Sequence, residues 1–257
     1  MLGRKSRDKV QFPVTLIEPR NPMAESFRTL RTSISFAAVD RELKVILVTS
    51  SHIGEGKSTA SSNLAVVMAQ IGQETLLVDC DLRKPMIHKL FNLSNQKGLT
   101  NLLTEEVPLD ELVQPTQQDK LQVLTSGPIP PNPAEMLGSR RMAELLDGLR
   151  TRYERIIIDV TPIEAVTDAV VLSSQVDGVL LLVDSGRTYF GGGRTLTDCL
   201  VLLLVDSGRT PIRLARDARD KLVRANAHIV GVILNRIKRD TNGYYHYYYY
   251  SYGGSKD

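Results

Sequence analysis

Residues 44–59 read KVILVTSSHIGEGKST, and the fold follows from how that stretch divides. Its first part, Lys44 to Ser50, is a short continuous apolar run ending in small residues, the pattern of a strand buried on both faces. Beyond it, Leu64, Val67, Met68 and Ile71 recur at helical spacing, so a helix is expected from Ser58 to Gln70, with Gly72 stopping it. Between strand and helix lies a glycine-bearing turn that closes on Gly56, Lys57 and Ser58. A P-loop needs this order: backbone N–H groups wrap phosphates, the lysine reaches terminal phosphate oxygens, and the hydroxyl binds Mg2+. The strict pattern GxxxxGK[ST] opens on glycine, and here Ser51 takes that place, while Gly54 helps the wrap. The residues expected around a nucleotide are Ser51, His52, Ile53, Gly54, Glu55, Gly56, Lys57, Ser58 and Thr59.

Outward from this stretch, further buried strands are expected at TLLVDCD (Thr75 to Asp81), RIIIDV (Arg155 to Val160), DGVLLLVDS (Asp177 to Ser185) and IVGVILN (Ile229 to Asn235). Helical stretches separate them, among them Asn132 to Arg150 and Thr210 to Ala225. Strands alternating with helices imply an α/β fold, a parallel sheet with helices on both faces. PIPPNP (Pro128 to Pro133) reads as a stiff surface connector. Ligands of parallel sheets sit at the carboxyl ends of the strands. Asp79 and Asp81 end one strand there, and alternation aims both carboxylates to one side with Cys80 opposite. Asp159 ends another, the place of a carboxylate that holds Mg2+ directly or through water.

The chain has 257 residues, 42% of them hydrophobic and 24% charged, enough for a sizeable core in one large or two small domains. A net charge of +3 does not point to nucleic acid. Arg4, Lys5, Arg7 and Lys9 make the start basic, which reads as a solvated terminus before it reads as a lipid contact. Two cysteines, Cys80 and Cys199, give neither a disulfide framework nor metal spacing, so a reducing compartment is expected. No signal peptide and no membrane-spanning run is apparent, which implies a cytoplasmic enzyme.

Two features stand apart. VLLLVDSGRT occurs at Val179 to Thr188 and again at Val201 to Thr210, a local duplication of about residues 189–210 with YFGGGRTLTDCL between the copies. The sheet needs one such strand, so the surplus copy must be extruded, added at an edge, or traded with the first. The other feature is the end of the chain, GYYHYYYYSYGGSKD. Seven of the nine residues from Tyr244 to Tyr252 are tyrosine, whereas the remaining positions of the chain hold only Tyr153 and Tyr189. Glycines at 243, 253 and 254 flank the cluster and favour a flexible tail. A sticky or stacking role and a substrate role stand level on composition alone.

SSHIGEGKST, LLVDCDLRKP and IIIDVTP resemble the three nucleotide motifs of the bacterial tyrosine kinases, from roughly Pro22 to the tyrosine tail. Thr161 stands where that family often has a second proline, and Glu164 where an apolar residue is common. The resemblance implies a P-loop NTPase fold like that of the partition ATPases, with ATP and Mg2+ as cofactors. It implies catalysis by Lys57, Asp79 and Asp81, and metal binding by Ser58, Asp79 and Asp159. One aspartate of the pair 79/81 would take the phenolic proton; Arg83 and Lys84 lie near enough in sequence to steady phosphate charge. It casts residues 1–240 as the kinase domain and 241–257 as its flexible substrate tail, with Tyr244, Tyr245, Tyr247, Tyr248, Tyr249, Tyr250 and Tyr252 as autophosphorylation sites. ESFRTLR matches the family's ExxRxxR helix, so Glu25, Arg28 and Arg31 are implied at a subunit interface of a ring-shaped homo-oligomer. By spacing alone they are surface ion pairs. The implied partners are the cytoplasmic tail of a membrane activator, which brings the protein to the inner face of the membrane, and a cognate phosphotyrosine phosphatase. The implied pathway is synthesis and export of capsular or extracellular polysaccharide. The alternative is a partition or septum-positioning switch ATPase without kinase activity. Such proteins carry an extra lysine early in the P-loop, where His52 and Ile53 stand here.

Overall fold

A computed structural model describes residues 12–38, 42–184, 200–203 and 212–235. The tyrosine cluster, the basic start and most of the duplicated stretch lie outside the described residues. The described α-helices are α1 (Val14–Ile17), α2 (Pro22–Ala37), α3 (Lys57–Ala69), α4 (Ile87–Phe91), α5 (Leu99–Thr104), α6 (Pro133–Leu137), α7 (Arg140–Arg152), α8 (Asp168–Ser173) and α9 (Ile212–Arg224). Eight strands are described: β1 (Val45–Ser50), β2 (Thr75–Asp79), β3 (Val113–Pro115), β4 (Leu121–Leu124), β5 (Arg155–Asp159), β6 (Gly178–Asp184), β7 (Leu200–Leu203) and β8 (Ile229–Asn235). They form one sheet in the order β3-β4-β2-β5-β1-β6-β8-β7. All pairings are parallel except β3 with β4, at the edge. The five strands expected from apolar runs are present, and all but β8 lie within one or two residues of the expected limits, β8 matching throughout. The short β3 and β4 were not foreseen.

The strands divide their side chains between two cores, as period-two alternation requires. Ile46, Val48, Leu77, Ile157, Leu180 and Leu182 face one core. It is closed by α2 (Pro22–Ala37) through Phe27, Leu30 and Ile34, and by α3 (Lys57–Ala69) through Leu64 and Met68. Val45, Leu47, Leu76, Val78, Ile156, Ile158 and Leu181 face the other. There Met142, Leu146 and Leu149 of α7 (Arg140–Arg152), Leu172 of α8 (Asp168–Ser173) and Ala218 and Leu222 of α9 (Ile212–Arg224) cover the sheet. The helical stretch expected over Asn132 to Arg150 is two helices. A short one at Pro133–Leu137 ends at Gly138, and α7 restarts with Ser139 as its cap, the serine hydroxyl accepting from the Met142 amide.

The duplicated word enters the sheet twice. The first copy forms β6 between β1 and β8, and the second begins β7 on the far side of β8. Leu181 of β6 and Val201 of β7 both oppose Val232, so the two copies flank one strand two residues out of step. Of the three fates open to the surplus copy, addition at an edge is the one observed.

Identical words cannot sort themselves, but the residues ahead of them differ: Asp177-Gly178 precedes the first and Cys199-Leu200 the second. The interior place demands the former. A Cβ on Gly178 would stand 2.2 Å from Val230 Cγ2 and 3.2 Å from Leu43 Cδ2. Asp177 accepts a 2.7 Å bond from the Val45 amide and pairs with Arg150 of α7 at 2.7 Å. A Cys-Leu pair would clash where Gly178 sits, leave the Val45 N–H without its acceptor and take the Asp177 carboxylate from Arg150.

Excising residues 189–210 therefore leaves a chain that keeps Asp177-Gly178 ahead of a single copy. It is expected to fold with β8 at the edge and to bind nucleotide as the parent does. In that shortened chain, replacing Asp177-Gly178 by Cys-Leu is expected to lower unfolding stability by about 3 kcal/mol, combining overpacking with a lost buried hydrogen bond. Chemical denaturation of the two proteins checks this, and equal stabilities would contradict it.

Candidate active site

The turn from β1 into α3 has the backbone that its glycines permit. Gly54 and Gly56 have φ of +82° and +91°, conformations that side-chain-bearing residues rarely adopt. Ser51 is not in that region, so the loss of the motif's opening glycine costs the loop no strain. The Ser51 hydroxyl instead donates to the Glu55 carboxylate at 2.9 Å, and the His52 amide donates to the same carboxylate at 2.9 Å. Glu55 is buried, so its side chain serves the loop's own frame. The His52 ring meets Glu164 at 2.6 Å, linking the loop's tip to the segment after β5. Glu164 is thus a departure from the family pattern that has found a local partner.

Lys57 opens α3 and is only 7% exposed, with its ammonium among acids. Nζ lies 2.9 Å from Asp159 Oδ2, 3.3 Å from Asp81 Oδ2 and 3.2 Å from Ser58 Oγ. Ser58 Oγ donates to Asp159 Oδ2 at 2.7 Å, and Ser61 Oγ lies 2.8 Å from Asp159 Oδ1. Burial works against the Lys57 charge, but Asp159 and Asp81 more than offset it, and its pKa is held above the ordinary value. Ser61 was missed from the sequence, although its place one turn beyond Lys57 on the same helix face was there to be read.

The pair at the end of β2 is arranged as alternation required. Leu77 belongs to the α3-side core and Val78 to the other. Asp79 and Asp81 accordingly turn toward α3, while Cys80 is buried with Leu82 opposite. The two carboxylates differ in surroundings. Asp79 is fully buried, and Oδ2 accepts from the amides of Met86 and Ile87 at 3.2 and 3.0 Å. Burial, with Asp159 on the neighbouring strand adding to it, pushes its pKa up to about 8. Asp81 keeps some exposure and faces Lys57; its Oδ1 accepts from the Lys84 amide at 2.9 Å. Arg83 does not point to this cluster: its guanidinium makes a forked pair with Asp168 of α8.

This donor set fits a nucleoside triphosphate with a hard cation. The loop turns on two positive-φ glycines at the N-terminus of a thirteen-residue helix, an anion site by geometry and dipole. Asp81 and Asp159 against one ammonium leave a net negative cluster, even with Asp79 protonated, that a cation would neutralise. Ser58 and Asp159 are the side chains whose oxygens would hold Mg2+, with phosphates and water supplying its other ligands.

The residues expected at a subunit interface lie on α2, away from this cluster. Arg28 pairs with Glu25 at 2.8 Å and donates to the Pro19 carbonyl. Arg31 donates to the Val67 carbonyl near the C-terminus of α3 at 2.8 Å, where a cation suits both the helix dipole and an otherwise unpaired carbonyl. Among the described residues no helix is long and apolar enough to cross a membrane.

Comparison with known proteins agrees with the geometry. A family model described as AAA domain matches residues 43–200. The tyrosine-protein kinase YwqD of Bacillus subtilis (strain 168) is 39% identical over 244 residues, covering 95% of this chain and 92% of that protein. The solved chimerical protein CapA2B2 superposes with a TM-score of 0.77 at 36% identity, over 88% of this chain and 90% of that one. The septum site-determining protein MinD of Pyrococcus horikoshii OT3, complexed with Mg-ADP, shares the fold at a TM-score of 0.58 and 21% identity, over 77% and 72% of the two chains. The chain belongs to the AAA-domain family of P-loop, ATP-binding proteins and, within it, to the bacterial tyrosine-protein kinases.

Proposed function

We propose that this kinase transfers the γ-phosphoryl group of ATP to the tyrosines of its own tail, Tyr244 to Tyr252, presented by a neighbouring copy. The observation that carries this reading is the meeting of Lys57, Asp79, Asp81 and Asp159 at the start of α3. Cation, acids and phosphate-binding turn there share one edge of the sheet. Phosphoryl transfer asks for positioning and charge neutralisation more than for covalent chemistry. Lys57 and the loop amides from Ile53 onward hold the phosphates, while those of Ser51 and His52 stay with Leu182 and Glu55; Lys57 leaves its carboxylate partners to do so. Ser58 and Asp159, with Asp79 close by, are the groups that would hold Mg2+, which supplies neutralisation of charge on the phosphate oxygens. The tyrosine oxygen attacks phosphorus as the bond to ADP breaks, and the phenolic proton, with an ordinary pKa near 10, passes to the aspartate pair. Asp79 has a raised proton affinity, and Asp81 lies beside Lys57.

Residues 1–240 serve as the catalytic domain and 241–257 as its substrate. Glu25, Arg28 and Arg31 contribute to an interface between copies that brings a tail to a neighbour's site. Each phosphate adds about −1.5 to −2 charges at pH 7, so a heavily modified tail is repelled and the assembly opens. A phosphatase would reverse the cycle. That a similar solved protein is a chimera, CapA2B2, supports a second polypeptide as activator, and a membrane location through it. Relatives named CapB and EpsB support a role in capsule or exopolysaccharide production.

Incubation with ATP and Mg2+, with phosphate mapped by mass spectrometry, is expected to place phosphotyrosine within residues 244–252. Lys57→Met is expected to lower the yield by more than about 100-fold. ATP hydrolysis without phosphotyrosine would favour the switch-ATPase alternative instead.

The raised proton affinity of Asp79 also has a stability consequence. A carboxyl with a folded pKa of about 8 binds its proton more tightly in the folded than in the unfolded chain. Its contribution is full below about pH 4 and is lost as pH rises to about 8, by up to about 1.4 kcal/mol per unit. In protein stripped of nucleotide and Mg2+, denaturant titrations between pH 6 and 8 are expected to show this decline, and Asp79→Asn to flatten it. An unchanged slope in the variant would contradict the assignment.

A further inference from the structure

We infer that Asp168 is a positioning residue of the kinase reaction, acting through Arg83 to hold the two acid-bearing segments in register. Two segments leave the sheet side by side. One runs on from Asp79, the last residue of β2, through Asp81; the other runs on from Asp159, the last residue of β5. They are joined where they start, by the bond from the Cys80 amide to the Asp159 carbonyl at 2.7 Å. Beyond that point they diverge. The segment after β5 runs along β1, with the Thr49 hydroxyl on the Thr161 carbonyl at 2.9 Å and the Ile163 amide on the Ser50 carbonyl at 2.9 Å. The segment after β2 turns away toward Met86 and Ile87.

Arg83 and Asp168 close the gap between them. Nε donates to Oδ2 at 2.8 Å and Nη2 to Oδ1 at 3.0 Å, a two-point fork that fixes angle as well as distance. Asp168 is fully buried, whereas the Arg83 side chain is 40% exposed. The carboxylate is therefore the fixed point and the arginine the arm that reaches it. A buried carboxylate stripped of its cation is strongly unfavourable, so this contact persists while the chain is folded. Arg83 sits two residues beyond Asp81, and freeing it would let Asp81 and the amides that hold Asp79 shift relative to Asp159 and Lys57. Displacement of about 1 Å in a reacting group costs roughly 100-fold in rate.

The sequence alone left Arg83 as a residue near enough to steady phosphate. The fork assigns it to a protein carboxylate instead, and the two roles predict opposite outcomes for Asp168. If Arg83 works by holding Asp168, then Asp168→Asn, with Arg83 untouched, is as damaging as Arg83→Ala. If Arg83 works on phosphate, then Asp168→Asn frees it and does no harm.

The test is steady-state phosphorylation by the full chain and by Asp168→Asn, Arg83→Ala, Arg83→Lys and the Asp168→Asn/Arg83→Ala pair. Amide hydrogen exchange of residues 80–87 and 160–168 is followed alongside. Expected are losses in kcat of about 10- to 100-fold in both single neutral variants, with KM for ATP within about twofold. The pair should be no worse than either single variant. Arg83→Lys should recover little, because lysine keeps the charge but lacks the fork. Exchange should rise in both segments together and not in β1 or α3. That readout holds even if the acceptor is not the tail, so failure of the tail assignment is distinguishable from failure of the clamp. Wild-type kcat in Asp168→Asn, a raised KM confined to Arg83 variants, multiplying losses in the pair, or unchanged exchange would each overturn the inference.

Discussion

The buried ion pair between Lys57 and Asp159 is the constraint around which the rest is arranged. Asp159 ends a central strand with no exposure, a position in which an unpaired carboxylate would be strongly destabilising. It is tolerated because α3 delivers three donors from successive turns: the ammonium of Lys57 and the hydroxyls of Ser58 and Ser61. α3 can do so only because the loop before it turns on Gly54 and Gly56 and is braced internally by Ser51 and Glu55. Under the proposed function the network that completes the core is also the one that takes the phosphates. Lys57 is held here by Asp159 and Asp81; in the proposed reaction phosphate oxygens replace them, and that exchange would couple ligand binding to the acids.

The acids surrounding the lysine differ from one another. Asp79 is spent largely on the amides of Met86 and Ile87, fixing the segment that follows β2. Asp81 is nearly as buried and shares Lys57 with Asp159. Asp168, farther out, holds the same segment through Arg83. The four carboxylates thus differ in burial and partners, and the proposed reaction gives them different work: holding cations, accepting a proton and keeping the geometry.

Much of this was legible in the residues, for identifiable reasons. Short continuous apolar runs such as Ile156 to Ile158 suit a doubly covered sheet, and the glycines and lysine of the P-loop admit few alternatives. Asp79 and Asp81 could be placed on one side from alternation alone. Other features were hidden because they depend on contacts between distant segments. The Arg83–Asp168 fork joins residues far apart in sequence, and neither is unusual by itself. β4 has only four residues, too few to show a period. The fate of the duplicated word was open for another reason: identical strands carry no information about their own placement. The decision rests with Asp177 and Gly178, just outside the repeat, through a steric limit set by Val230 that only the assembled sheet reveals.

The central claim is that one ammonium serves both the fold and the phosphate site. The most direct measurement compares unfolding stability and ATP affinity in Lys57→Met, Asp159→Asn and the double variant. Lys57→Met is predicted to lose about 3–5 kcal/mol, because it strands a buried carboxylate. The double variant is predicted to regain a large part of that loss while remaining unable to bind ATP. A double variant no more stable than Lys57→Met, or one that still binds ATP like the parent, would contradict the account.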